Sequence, residues 1–244
     1  MSKEKQQLEN YTNKYIDYDK WLIKETKHYV FHYFPKSLAE KEIDIISKRQ
    51  ERAFKKIIKT LKLELLKVKI KYYIYPSEDE KTNLMGSYGI AQAIWCDFSV
   101  HIVYTNKMRP LGEHEDTHLL TLGWGITISF IQEGVAEFMS GNRMWDGKTC
   151  LFWFKKGIKN NIVPTVASMM TQKAWMDLPD ENACYYYAFA KIFIGFLIEN
   201  FGLEKFIKLY KFILRKNSKA KNIKVFEIVY EIKLSEIEKK FYGV

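Results

Sequence analysis

The stretch EHEDTHLL, residues 113–120, carries two of the chain's five histidines, His114 and His118, four positions apart. A proline precedes it and a glycine follows it, which predicts a helix that ends near Leu122. Residues four apart on a helix share a face, so both imidazoles can reach one metal ion. Glu115 lies close enough around the helix to contact a metal-bound water. The stretch therefore predicts a metal site on a helix.

A second stretch, FIQEGVAEFM, offers a third ligand. Glu133 and Glu137 lie four positions apart within residues 127–140, which we expect to form another helix. Zinc in a hydrolytic site has three protein ligands and leaves a fourth position for water. Fourteen residues separate His118 from Glu133. This gap lets one helix end and the next return antiparallel, with Glu133 at the metal and Glu137 bonded to the second ring nitrogen of a ligand histidine.

Strand and helix patterns alternate before the two motifs. Residues 26–34 are aromatic and β-branched, which indicates a strand, and Ser37 and Glu40 then stand in capping-box spacing ahead of a long amphipathic helix. Apolar and lysine residues alternate over 67–75, which predicts a second strand. Residues 89–105 predict two further short strands around a turn.

The pattern after residue 142 is helical, with no strand signal. Helical spacing recurs over residues 185–200, 203–216 and 223–240. The sequence therefore predicts an α+β fold, in which a small N-terminal sheet packs on the helix of residues 114–118 and a mainly helical C-terminal subdomain follows. The metal is expected in an active-site cleft between the two. Three segments are expected: an N-terminal tail or helix (1–25), the sheet plus zinc-binding helices (26–141), and a helical subdomain that completes the cleft (142–244).

The composition is that of a globular and basic protein. There are 39 Lys and Arg against 29 Asp and Glu, so the net charge is +10 (39 − 29), and the 47% hydrophobic and 16% aromatic content excludes disorder. The lysines are spread along amphipathic segments, and no helix-turn-helix, zinc-finger or RNA-recognition motif is present. We therefore do not expect nucleic acid as a partner, despite the charge.

The cysteines, the first twenty residues and the longest uncharged stretch indicate the cellular compartment. Three scattered cysteines fit neither a disulfide framework nor a paired-cysteine metal site, which favours a reducing environment. The first twenty residues are polar and show no secretory signal. The longest uncharged stretch, residues 119–132, is too short to span a bilayer. We expect a cytoplasmic protein without a membrane partner.

The two motifs resemble those of the gluzincin metallopeptidases, specifically the peptidase MA-like group, whose pattern is HExxH followed by a helix bearing E-G-x-A-E. The resemblance extends along the chain. The strand–helix–strand order of residues 26–75 is similar to what precedes the zinc helix in that group. YAFAKIFIGFLIENFG (187–202) resembles a later helix of the group, and VFEIVYEIKLSEIEKKF (225–241) resembles its C-terminal helix pair.

This resemblance implies a role for each motif residue. His114, His118 and Glu133 would bind zinc, and Glu115 would be the general base. Glu137 would contact a ligand histidine and not the metal itself. Gluzincins stabilise the tetrahedral oxyanion with a Tyr or His from the helical part of the chain, and Tyr187 is the candidate here. Asp116 departs from the pattern, because such helices usually carry an apolar residue there. Its charge is expected to face solvent, the cleft or a basic partner.

The sequence is compatible with three functions. The leading one is a zinc metallopeptidase that acts on a peptide or protein substrate, which adds as a strand to the segment 91–104. Endopeptidase and aminopeptidase activity both stay open. The second is a catalytically silent zincin-like fold used for binding or regulation, against which the intact Glu115 argues. The third and weakest is a basic nucleic-acid-binding protein with an incidental metal.

Overall fold

A computed structural model describes residues 14–65, 67–141 and 144–243. Contacts divide the chain into two compact units, Met1–Leu120 and Thr121–Val244. The first unit contains a mixed sheet with helices, and the second is mainly helical, which confirms the α+β class. The division at residue 141, which groups both motifs with the sheet, stays a prediction. The predicted tail 1–25 lies partly outside the described residues.

A five-stranded sheet forms the centre of the first unit. Its strands are β1 (Leu22–Glu25), β2 (Tyr29–Tyr33), β3 (Ile70–Tyr75), β4 (Ala91–Ile94) and β5 (Ser99–Val103). The order is β1-β2-β3-β5-β4, with β2, β3 and β5 parallel to one another and the two outer strands antiparallel to their neighbours. The predicted strands are confirmed, and β1 is an additional strand that the sequence patterns did not indicate.

Three helices accompany this sheet: α1 (Leu38–Leu61), α2 (Glu78–Met85) and α3 (Glu113–Leu120). The side chain of Ser37 caps α1 by accepting a hydrogen bond from the backbone N–H of Glu40, as the capping-box spacing predicts. Helix α1 connects the parallel strands β2 and β3 and packs against β2 and α3. Helix α3, which carries the histidine motif, also packs on β4 and β5.

Both faces of the sheet are buried along β3. Tyr72 lies on the face towards α1, where its hydroxyl accepts a hydrogen bond from Gln50 at 3.3 Å. Tyr73 and Tyr75 lie on the opposite face, in an aromatic cluster that includes Tyr15. Parallel strands are usually covered on both sides in this way. The alternation predicted for 67–75 is therefore present. The face that carries the lysines at its start carries the buried Tyr73 and Tyr75 further along the strand.

The second unit contains a short hairpin and seven α-helices among its described residues. The helices are α4 (Ser129–Met139), α5 (Cys150–Lys159), α6 (Gln172–Met176), α7 (Ala183–Phe201), α8 (Leu203–Phe212), α9 (Lys219–Tyr230) and α10 (Leu234–Tyr242), and the hairpin strands are β6 (Met144–Trp145) and β7 (Lys148–Thr149). Helices α4 and α5 pack against α7. No described helix is both long and apolar enough to cross a membrane.

Two details of this unit differ from the sequence predictions. The prediction of helices only after residue 142 is wrong, because β6 and β7 pair antiparallel with two residues each. Such strands are too short to show a period-two pattern. The helical pattern over 223–240 is divided between α9 and α10, because Glu231 adopts left-handed backbone angles (φ 61°) that end α9.

Candidate metal centre

Helix α3 places the two motif histidines side by side. The Nε2 atoms of His114 and His118 lie 3.3 Å apart, and their rings meet at 81°. An ion about 2.05 Å from both nitrogens, the usual zinc–imidazole distance, would subtend an N–ion–N angle of about 107°. This is close to the tetrahedral angle. The histidine pair is therefore spaced as two ligands of one tetrahedral ion.

Glu133 on α4 completes a group of three. One ligand atom from each of His114, His118 and Glu133 lies within 4.8 Å of the other two. Neighbouring ligands of a tetrahedral zinc ion are about 3.4 Å apart, so small side-chain rotations would complete the geometry. The three residues predicted as ligands thus form a group that could hold a metal ion. Two imidazoles and a carboxylate suit zinc but also other first-row metals.

Glu115, the predicted general base, is half-buried on the same helix. Its charge acts on the fully buried Lys81 of α2, a residue that no local sequence pattern indicates. Burial lowers the pKa of Lys81 to about 8, and the negative charge of Glu115 partly opposes that shift. The Lys81 ammonium donates to Oε1 of Gln92 at 2.6 Å. A buried ammonium group therefore contributes to the electrostatic environment of Glu115.

Asp116 occupies a different environment from the one expected. Its carboxylate is fully buried and accepts hydrogen bonds from the hydroxyl of Tyr29 and from Nε2 of Gln50, the latter at 3.1 Å. Burial raises the pKa of Asp116 to about 8, and the nearby charges of Glu115 and Glu113 add to the shift. The expectation of solvent, a cleft or a basic partner is therefore wrong, because neutral donors bind this acid in the interior.

Gln50 also holds the segment that leads into α3. Its Oε1 accepts from the backbone N–H of Gly112 at 2.8 Å, and its Nε2 donates to the Gly112 carbonyl at 3.1 Å. Arg49 donates to the carbonyl of Leu111 at 2.9 Å. Gly112 has φ +133°, a conformation that L residues rarely adopt. Helix α1 thus determines where the histidine-bearing helix begins.

Close packing of α4 explains the glycine in EGVAE. A Cβ atom on Gly134 would lie 2.4 Å from Cγ1 of Ile194 and 2.9 Å from the carbonyl oxygen of Ala190, both on α7. Only glycine lets the two helices approach this closely. Next to it, Glu133 is half-buried. Glu137 is fully buried, so it is not a surface charge, and its predicted bond to a ligand histidine stays a prediction.

Tyr187, the predicted oxyanion-stabilising residue, lies on α7. Its ring contacts Trp145, with centroids 5.7 Å apart, and Trp175, with centroids 5.3 Å apart. Tyr185 and Tyr186 are buried, whereas Tyr187 is half-buried. Of the three consecutive tyrosines, Tyr187 is the one with the greatest access to solvent. Its part in catalysis stays a prediction.

Comparisons with known proteins identify no family for this chain. No protein-family model matches it, and no curated protein matches it. The features of the chain that point to a function are therefore the residues of the candidate metal centre and the resemblance of its two motifs.

Proposed function

We propose that this protein is a zinc-dependent peptidase of the gluzincin type, with His114, His118 and Glu133 as the zinc ligands. The observation that supports this most strongly is the grouping of one donor atom from each residue within 4.8 Å, with the two imidazole nitrogens 3.3 Å apart. The two imidazoles and one carboxylate match the ligand set of catalytic zinc sites that keep a fourth position open.

Bound zinc supplies a Lewis acid that lowers the pKa of water and polarises a carbonyl group. Glu115 supplies the base. Its carboxylate accepts the proton of the attacking water and then donates it to the departing amine nitrogen. A half-buried position suits this role, because the group reaches solvent while protein surrounds part of it. Tyr187 is the proposed donor to the oxyanion.

Strand β4 is the proposed docking edge for the substrate. It forms one edge of the five-stranded sheet, and all four of its residues are half-buried. An edge strand offers unpaired backbone N–H and C=O groups, to which an extended peptide can bind as an additional strand. Helix α3 packs on this strand. The proposed substrate is therefore an extended peptide or an extended segment of a protein.

Replacing Glu115 with Gln tests the proposal. The amide keeps the size of the side chain but removes its basicity, so zinc content and melting temperature should stay near those of the unmodified protein. Loss of general-base assistance lowers the rate by about 10² to 10⁴, or roughly 3 to 5 kcal/mol of barrier. A diverse peptide library at neutral pH, read by mass spectrometry, provides an assay that does not depend on the identity of the substrate.

Glu113→Gln is the matched control. Glu113 lies on the same helix, and its carboxylate pairs with Lys56 at 2.7 Å. This variant should cleave like the unmodified protein.

His118→Ala tests the ligand assignment, because it should lose stoichiometric zinc, as measured by metal analysis. Equal cleavage by the two Gln variants would refute the role of Glu115, and zinc binding without any cleavage would favour a binding or regulatory protein.

A further inference from the structure

Helix α5 exposes three large apolar side chains within two turns. Leu151 is 49% exposed, Phe152 is 42% exposed and Ile158 is 39% exposed. Large apolar residues that lie together on the surface indicate an interaction site more often than single ones do. Met144 in the preceding hairpin is 56% exposed. The hairpin that leads into α5 thus also exposes a large apolar side chain.

Lysines share the same side of this helix. At 100° per residue, the exposed residues of α5 cover an arc of about 160°. We call this surface the α5 face, and it consists of Leu151, Phe152, Lys155, Lys156, Ile158 and Lys159. Lys148, in β7, lies 5.5 Å from the ring centroid of Phe152. Apolar groups and cations are therefore interspersed.

The opposite side of α5 fixes the orientation of this face. Phe154 is buried and stacks on Phe189 of α7, with ring centroids 6.2 Å apart. The indole of Trp153 contacts Tyr185 and donates to the carbonyl of Trp145 at 2.9 Å. These contacts hold the helix in place, so the exposure of the α5 face is a fixed property of the folded second unit.

We infer that the α5 face binds the surface of an anionic lipid bilayer. Apolar side chains on one side of a helix insert at the boundary between headgroups and acyl chains, and lysines among them bind anionic headgroups. Lysine stems also lie along apolar surface while their ammonium groups reach outward. An acidic peptide would pair with the lysines but would not by itself bury Leu151, Phe152 and Ile158.

This inference does not depend on the proposed peptidase activity. It differs from the sequence-based expectation that the chain has no membrane partner, because that expectation came from the absence of a spanning segment. Surface binding needs only one amphipathic face, and the net charge of +10 favours approach to an anionic surface.

Vesicle co-sedimentation of the full chain tests the inference. The protein should bind vesicles of phosphatidylcholine mixed with phosphatidylserine at about 0.1 M salt, and should bind pure phosphatidylcholine much more weakly. A variant with Lys155, Lys156 and Lys159 changed to Gln should bind about 100-fold more weakly, since each lysine near an anionic surface contributes about fivefold. A variant with Leu151, Phe152 and Ile158 changed to Gln should lose a similar factor.

A matched control changes three lysines of α1, Lys48, Lys55 and Lys59, to Gln. These side chains are exposed, and the net charge falls by the same amount as in the α5 lysine variant. The control should bind like the unmodified protein, and all variants should keep its melting temperature. Equal loss in the control would overturn the inference, because net charge would then explain binding. Full binding by the apolar variant, or no binding to the mixed vesicles, would also overturn it.

Discussion

Gly134→Ala measures how closely α4 and α7 pack next to Glu133, the third proposed metal ligand. The added Cβ would lie 2.4 Å from a flexible atom of Ile194 and 2.9 Å from the backbone oxygen of Ala190. The Ile194 side chain can rotate, but the carbonyl moves only if a helix shifts. Because a backbone atom is involved, the cost of overpacking should lie in the upper part of its usual range, at about 2 to 3 kcal/mol. Alanine recovers about 1 kcal/mol of helix propensity, so the free energy of unfolding should fall by about 1 to 2 kcal/mol.

Gly195→Ala on α7 is the control for this substitution. Its added Cβ would meet the nearest atom, on the ring of Phe138, at 3.5 Å, which is an ordinary contact. The gain in helix propensity should then dominate, and stability should rise by up to about 1 kcal/mol. Thermal unfolding followed by circular dichroism should separate the two variants by roughly 5 to 10 °C. Equal melting temperatures would refute the packing argument.

Two further predictions concern pH. Because the pKa of Lys81 is lowered to about 8, the unfolded chain binds more protons than the folded protein between about pH 8 and 10. The free energy of unfolding should therefore rise with pH in this range. Lys81→Met should remove this rise, as measured by urea titrations at several pH values. Because the pKa of Asp116 is raised to about 8, the metal-free folded protein binds more protons than the unfolded chain between about pH 4 and 8. Its free energy of unfolding should therefore fall as pH rises through this range. Asp116→Asn should flatten that fall, and a pH profile unchanged by the substitution would contradict the assignment.

Local sequence patterns were enough to predict the elements that carry the site. Period-two alternation indicated β3, and the capping-box spacing indicated the start of α1. The histidine spacing works because a helix brings residues four apart onto one face, so the pairing of His114 with His118 follows from helix geometry alone. The need for a third ligand and the length of the gap after His118 indicate Glu133, whose donor atom does lie near both imidazoles.

Burial of charged residues could not be predicted, because it depends on distant parts of the chain. Lys81 lies in the polar stretch EDEKTN, which resembles a solvated helix, yet its side chain is completely buried. The hydrogen-bond partners of Asp116 are equally remote: Tyr29 is 87 positions away and Gln50 is 66 positions away. No local pattern relates such residues to one another.

The burial of Asp116 explains how a short helix can hold the two proposed metal ligands in place. Helix α3 has eight residues, fewer than the roughly 12 to 15 that an isolated helix needs to be stable in water, so its position depends on tertiary contacts. Gln50 bonds the backbone of Gly112 and the carboxyl group of Asp116, and Tyr29 bonds that same carboxyl group. An apolar side chain at position 116 would add packing but would provide no acceptor for these two donors. The acid thus ties α3 to α1 and β2, and the energy of its burial is offset because it can bind a proton instead of carrying a charge.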